Sequence, residues 1–386
     1  MPSLTPQEHE RNLRVTIYNV FSIATTWGSP LVGGAASNNS HTFTVQFRII
    51  SAFFIVAIPL IAFAAPETVF DRANAAVAPT PVSGFTLSRK WQPWRLRHRM
   101  TKDRIWDYLY SMRPCTFTSP ITRNIVLQFP RALIAPTTII TFLLSFLPIC
   151  GLWGLSSSLS LILAPAPLST NPQLVGNIMV GPWILATLVV SSLCFYRGEH
   201  LKVTQLAHCL FVVGGSSLGL ISMLTFGLGL TNYMSPHTTS SPPTFFPSNG
   251  PQISFALLSF QLGILATGIA ILDAVTRPLL ARSAEFTSSS MAISVRNIGD
   301  MHTGVVIYRN LTSGIFVLAI PAAIAASSGG LRAVVIGLSV TQIILVTAIL
   351  VIRRFFDQSI WRADGRIMGL VDLSSLKQSM SFFDTD

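Results

Sequence analysis

Long apolar runs constrain this chain more than any other feature of its sequence. A helix needs about 20 apolar residues to cross the hydrocarbon core of a bilayer. Six runs meet or nearly meet that length: 47–65, 132–155, 173–196, 203–229, 252–274 and 333–352. Two weaker runs, 15–36 and 311–328, are interrupted by Gly, Ser, Thr or Pro, which membrane helices tolerate. Together they predict an all-α polytopic membrane protein with about eight transmembrane helices.

The composition favours lipid as the solvent for most of the chain. Half of the 386 residues are apolar and only 11% are charged, which leaves too few charges to cover the apolar mass in water. The formal net charge is +11, but a nucleic-acid-binding protein gathers its basic residues on one folded face. Here the Lys and Arg residues lie in short segments between apolar runs. We therefore expect a lipid bilayer as partner, and no nucleic acid.

The charge distribution predicts the orientation, because loops rich in Lys and Arg stay in the cytoplasm. Eight helices that alternate from a cytoplasmic start leave four outer segments. These are 37–46, 156–172, 230–251 and 329–332. Of the 26 Lys and Arg residues, only Arg48 and Arg332 then lie at outer boundaries, so both termini are predicted to be cytoplasmic. On the outer side, Asn38 begins an Asn-Asn-Ser sequence that is a candidate glycosylation site.

A basic segment divides the chain into parts. Residues 66–124 are predicted to be a cytoplasmic central loop, whose mixture of Trp and Arg suits either an anionic headgroup surface or a solvated loop. Residues 1–65 are then a partial amino-terminal bundle of two helices. Residues 125–352 form a carboxy-terminal bundle of six helices, and 353–386 a cytoplasmic tail.

Three short strings carry a resemblance to a known family. HER occupies residues 9–11, WGSPLVGG occupies 27–34 and PETVFDR occupies 66–72. They resemble the major facilitator superfamily, specifically its fungal-type drug:proton antiporter-like branch. In that branch Glu-Arg-Gly precedes the fifth helix, Gly-Pro-x-x-Gly-Gly lies within it, and the sixth helix ends in Pro-Glu-Thr. This chain has Asn12 and Ser29 where the family has glycine.

The resemblance implies roles for particular residues. The family links its fifth-helix element to antiport and to the seal between the two halves of the transporter. The residues of this antiporter-like helix motif are Gly28, Pro30, Gly33 and Gly34. The family signature after the second span corresponds to Pro66, Glu67, Thr68, Asp71 and Arg72. Asp273, Arg309 and Asn310 look like family marks of the tenth and eleventh helices.

The physical chemistry of the 27–34 string leaves two interpretations open. Pro30 removes a backbone donor and bends its helix, while Gly28, Gly33 and Gly34 let a neighbouring helix approach closely. A bent helix with a smooth face suits one that rocks against another. The alternative is an ordinary packing seam of small residues.

If the first span matches the family's fifth helix, the chain resembles helices 5–12 and lacks the first four. The resemblance implies a transmembrane transporter of an unknown small organic solute, an efflux protein in the plasma membrane. The missing helices favour an alternative from another class: a non-transporting membrane protein, either a truncated relic or an accessory partner of another helical protein. Partner helices would then replace the missing four. The substrate and the energy coupling are not encoded in any recognisable motif.

Polar residues inside or beside the spans are candidates for the cavity or for gating, since ionisable groups are costly in lipid. The polar candidates are Arg131, His208, Gln261, Asp273, Arg309 and Asn310. Pro136 is a further candidate, because prolines make the 132–155 span a candidate for a kinked, mobile helix that lines a cavity. The structural alternatives are a snorkelling anchor for Arg131 and helix-to-helix hydrogen bonds for Gln261 and Gln342. His208 is the only histidine within a predicted span. The sequence has no HExxH, GxSxG, P-loop or Cys/His cluster, so we expect no enzyme, cofactor or metal site.

Overall fold

The structure is a computed structural model that describes most of the chain as helix. The described residues are 6–40, 44–64, 123–163, 170–200, 205–234, 254–287 and 291–368. Helix accounts for 96% of them, and they contain no strand. The all-α class predicted from the apolar runs is confirmed.

The described residues form ten α-helices, which we number in chain order. They are α1 (Pro6–Ser40), α2 (Thr44–Ala64), α3 (Arg123–Ile134), α4 (Pro136–Leu163), α5 (Pro172–Asn177), α6 (Val180–His200), α7 (Gln205–Met234), α8 (Phe255–Thr287), α9 (Met291–Ala326) and α10 (Gly330–Ile367).

Six stretches of the described chain are long and apolar enough to cross a membrane. They are Pro136–Leu163, Pro172–Leu193, Ala207–Thr231, Phe255–Phe286, Asn297–Ala326 and Gly330–Ile367. The segment Thr44–Pro59 of α2 is a shorter apolar helix, and α1 is not among the six. Six of the eight predicted spans therefore have a counterpart of full length, and the chain is an integral membrane protein.

Three boundaries differ from the sequence-based prediction. The run 132–155 is divided, because the helix is interrupted at Ala135 directly before Pro136, as expected for a residue that precedes proline. The predicted span 311–328 lies within α9, which already begins at Met291. The predicted tail from 353 is helical as far as Ile367, because α10 continues beyond the predicted end of its span.

Several hydroxyl side chains inside the apolar helices donate to a carbonyl group of their own helix. Thr187 Oγ1 donates to the Trp183 carbonyl at 2.7 Å, and Ser192 Oγ donates to the Leu188 carbonyl at 2.7 Å. Lipid offers no partner for a hydroxyl group, so this local bond removes the cost of carrying one in a membrane helix.

The described helices belong to two compact units. Residues 1–43 and 127–386 form the first unit, and residues 44–126 form the second. Within the first unit, α1 packs against α5 and α6. In the structure α1 thus groups with the later helices, and the division predicted at residues 65, 124 and 352 stays a prediction.

Helix α8 lies at the centre of the first unit, where it packs against α4, α6, α7, α9 and α10. Its approach to α6 depends on Gly181, because a Cβ atom there would lie 1.9 Å from the Ser259 carbonyl oxygen. The Gly181 N–H donates to Ser259 Oγ at 2.8 Å. On the α7 side, a Cβ at Gly268 would lie 2.6 Å from the Gly215 carbonyl oxygen. Small residues therefore bring both neighbours into backbone contact with α8.

Candidate functional site

A cavity of about 420 Å³ lies within the first unit, between α1, α4, α6, α7, α8 and α9. Much of its wall is apolar, including Ile23, Trp27, Leu152, Ala266 and Ile269. The Trp27 ring also stacks on Trp153, with ring centroids 5.3 Å apart. The volume is in the range of sites that enclose small molecules, which are mostly apolar with a few placed polar groups.

The polar residues of the cavity come from four helices. They are Tyr18, Asn19 and Ser22 of α1, His208 of α7, Asp273 and Arg277 of α8, and His302 and Arg309 of α9. The residues from α1 and α7 lie in the first half of each helix, His302 lies in the first half of α9, Arg309 lies at the middle of α9, and the residues from α8 lie in its second half. The polar groups therefore meet where the early turns of α1 and α7 pass the middle of α9 and the later turns of α8.

The guanidinium group of Arg309 is the most highly connected of these groups. It donates from Nε to Ser145 Oγ of α4 at 2.9 Å, from Nη2 to Thr276 Oγ1 of α8 at 3.1 Å, and from Nη1 to Asp273 of α8. Arg309 is buried, with 8% of its surface exposed. A buried cation is stable only when its donors are paired, so this one group joins α4, α8 and α9.

Asp273 faces the cavity with 48% of its side chain exposed, whereas the Arg309 side chain is 10% exposed. Arg277 follows Asp273 by one turn of α8, and His302 precedes Arg309 by two turns of α9. His302 interacts electrostatically with Asp273, Arg277 and Arg309. Among the described lining residues, two arginines thus accompany a single carboxylate.

Three of the predicted cavity candidates line this cavity: His208, Asp273 and Arg309. The other four do not. Arg131 is partly buried in the last turn of α3, Pro136 begins α4, and Asn310 is exposed. The backbone carbonyl oxygen of Gln261 accepts a hydrogen bond from Ser222 Oγ of α7, so this residue takes part in the contact between α7 and α8.

Gln342 makes the helix-to-helix hydrogen bond that was predicted for it. It is 1% exposed, and its Nε2 donates to Ser216 Oγ of α7 at 3.0 Å and to the Leu144 carbonyl of α4 at 3.2 Å. This prediction is confirmed.

The antiporter-like motif contains one position of close helix approach and one without it. A Cβ atom on Gly34 would lie 2.8 Å from the Pro172 carbonyl oxygen and 3.2 Å from the Gly176 Cα atom of α5. A Cβ on Gly176 would in turn lie 2.7 Å from the Pro30 carbonyl oxygen. The close approach expected at Gly28 is not made by any described helix, because a Cβ there would meet no atom of the described residues within 4 Å.

The other predicted strings give less information. The signature residues Pro66, Glu67, Thr68, Asp71 and Arg72 lie outside the described residues. The HER string lies in the part of α1 where the side chains are not described. At the candidate glycosylation site, Asn38 Nδ2 donates to Gln173 Oε1 at 3.1 Å.

Most of the polar lining residues were not predicted from the sequence. His208 was predicted to be the only histidine within a span, but His302 lies inside Asn297–Ala326, because this helix starts earlier than predicted. Helical spacing was the available signal: His302 and Arg309 are seven residues apart, and Asp273 and Arg277 are four apart, so each pair shares a helix face. The cavity residues of α1 carried no signal of their own.

The described residues contain no group of three His, Cys, Asp or Glu side chains that could hold a metal ion. Cys150 is a buried free thiol and Cys209 an exposed one. The fold and cavity define an all-α integral membrane protein with an internal site of small-molecule size. No protein-family model, curated protein or solved structure matches the chain.

Proposed function

We propose that the chain is a transmembrane transporter of the major facilitator type, with the cavity as the binding site for a small organic solute. The cavity carries the proposal, because it combines apolar walls with polar groups from four helices. Transporter sites of this kind lie between helices that move relative to each other. The resemblance of the strings at 9–11, 27–34 and 66–72 supports the family.

The helix contacts around the cavity suit such movement. Gly34 and Gly176 bring α1 against α5, Gly181 brings α6 against α8, and Gly215 and Gly268 bring α7 against α8. Backbone surfaces without side chains can slide or tilt without unlocking interdigitated side chains. Helices α1, α6 and α7 all line the cavity, so tilting at these contacts changes access to it.

The proposed orientation places both termini in the cytoplasm and makes the transporter an exporter of the plasma membrane. Its support is the distribution of Lys and Arg over the sequence. With that orientation, the polar end of the cavity lies on the cytoplasmic side, where an exported solute enters. Glycosylation sites introduced one at a time between residues 90 and 110 test it, and their modification would contradict the orientation.

A flux assay in proteoliposomes tests transport itself. The probes are small organic solutes in matched anionic, neutral and cationic forms. Ala270 is 9% exposed and lines the cavity, so Ala270→Leu should reduce flux by about tenfold, because the added atoms fill the site. Ala348 of α10 is exposed and does not line the cavity, and Ala348→Leu should leave flux unchanged. Correctly inserted protein without flux of any probe would support the non-transporting alternative.

A further inference from the structure

We infer that the cavity takes an amphipathic organic anion, with a carboxylate held at Arg277 beside the Arg309–Asp273 pair and an apolar body against the α1 and α4 wall. This inference deepens the proposed function and rests on it for the passage of the anion across the membrane. The binding step stands on the cavity alone.

The charge of the polar end gives the sign of the ligand. Asp273 accepts a hydrogen bond from Arg309, and the three hydrogen bonds that Arg309 donates hold its guanidinium group in place. Arg277 is exposed to the cavity and forms no ion pair among the residues that the structure describes. Within the described part of the chain it therefore remains the uncompensated charge, and an anion that enters meets a cation whose donors bond to no described residue.

The neighbours of Arg277 strengthen this preference. His302 lies within electrostatic range of Arg277, Arg309 and Asp273. No second carboxylate lines the cavity in the described part of the chain. A concave site lined by an excess of one sign concentrates ligands of the opposite sign and repels those of the same sign. A cationic solute of equal size is accordingly disfavoured.

The apolar part of the cavity wall determines the rest of the ligand. Ile23, Trp27, Leu152, Ala266 and Ile269 provide apolar contact on three helices. The Trp27 ring is fixed by its stacking on Trp153, and a fixed aromatic surface suits a flat apolar body. A single carboxylate on an apolar skeleton satisfies both parts of the cavity, whereas an inorganic anion satisfies one.

Binding is measured on the full chain in nanodiscs of zwitterionic lipid by isothermal titration calorimetry. The probes are 1-naphthoate, its neutral amide 1-naphthamide and the cation 1-naphthylmethylammonium. We expect 1-naphthoate to bind about five- to tenfold more tightly than the amide, and the cation more weakly than both. Equal affinity for 1-naphthoate and the amide would overturn the inference.

Three variants locate the anion. Arg277→Gln should weaken 1-naphthoate binding about five- to tenfold and leave the amide unaffected, whereas Arg277→Lys should retain most of the preference. Arg332 is exposed at the start of α10, away from the cavity. Arg332→Gln removes the same charge and should leave both affinities unchanged. An unchanged 1-naphthoate affinity in folded Arg277→Gln protein would overturn the assignment.

Two further outcomes separate this inference from the transport proposal and from lipid binding. Selective 1-naphthoate binding without flux would support the anion site and sink the transport proposal. Flux of neutral probes without selective binding of 1-naphthoate would support the transport proposal and overturn the anion site. Loss of 1-naphthoate binding in nanodiscs that contain phosphatidylglycerol would identify a lipid headgroup as the occupant and overturn the assignment to a free solute.

Discussion

The carboxylate of Asp364, near the end of α10, accepts two hydrogen bonds from Thr137 in the first turn of α4. The Thr137 N–H lies 3.0 Å from Oδ1, and its hydroxyl group donates to Oδ2. Ser283 Oγ of α8 donates to the same Oδ2 at 2.7 Å. The first N–H groups of a helix lack intrahelical acceptors and favour negative charge. Asp364 therefore caps α4 from another helix and joins it to α8.

Replacement of Asp364 should destabilise the first unit strongly. Asp364 is 1% exposed, and Asp364→Ala removes the acceptor of the Thr137 N–H and the bond that joins α10 to Ser283 of α8. We expect the free energy of unfolding to fall by about 2–4 kcal/mol, measured by denaturation in detergent. Asp357→Ala is the matched control, because Asp357 pairs with Arg353 of its own helix, at 3.3 Å, and with no other described residue. Asp357→Ala should lower the free energy of unfolding by about 0.5 kcal/mol. Equal losses in both variants would contradict the cap.

The two partners of the Arg309–Asp273 pair should not be equivalent. Arg309→Gln removes bonds to Ser145, Thr276 and Asp273 from a buried position. Asp273→Asn keeps an acceptor oxygen at a half-exposed position. We expect Arg309→Gln to lower the free energy of unfolding by about 2–3 kcal/mol and Asp273→Asn by about 1 kcal/mol. Chemical denaturation measures the loss in both variants. A larger loss for Asp273→Asn than for Arg309→Gln would mean that the carboxylate is the buried partner.

The contact between α1 and α5 can be tested with a matched pair of glycines. A Cβ at Gly34 meets the Pro172 carbonyl oxygen and the Gly176 Cα, which are backbone atoms and cannot rotate away. Gly34→Ala should therefore destabilise the protein by about 1–3 kcal/mol. A Cβ at Gly28 meets no atom of the described residues within 4 Å, so Gly28→Ala should be neutral or stabilise α1 by up to about 1 kcal/mol. The melting temperatures of the two variants test this prediction. A lower melting temperature for Gly28→Ala than for Gly34→Ala would contradict the packing of α1 against α5.

The apolar runs were sufficient to predict the fold class, because a membrane helix satisfies its backbone internally and is recognised from about 20 local residues. Helix ends were less predictable. Residues 353–386 were predicted to be a cytoplasmic tail, yet α10 continues to Ile367, and Trp361, Asp364, Gly365 and Met368 are buried. Their spacing is that of one helix face, which was a usable signal.

The partners of the polar residues could not be predicted from local pattern. Asp273 and Arg309 are 36 residues apart, and Thr137 and Asp364 are 227 apart. Each of these pairs forms only when separate helices pack in one particular register. Asp273 and Arg309 were each predicted as a cavity or gating residue from the sequence. Their pairing was not predicted, because it depends on the packing of α8 against α9.

Gln342 tests how much a buried polar contact contributes between apolar helices. Its Nε2 joins α10 to Ser216 of α7 and to the Leu144 carbonyl of α4, but its Oε1 has no hydrogen-bond partner among the described residues. A half-satisfied amide contributes little net stability, and such contacts in membrane proteins average about 0.6 kcal/mol. We therefore expect Gln342→Leu to cost less than about 1 kcal/mol, measured by denaturation in detergent. Gln342→Glu should cost more, because it places a carboxylate opposite the Leu144 carbonyl in a site that offers one hydroxyl donor. A loss above about 3 kcal/mol in the leucine variant would show that the amide is fully satisfied and holds the three helices together.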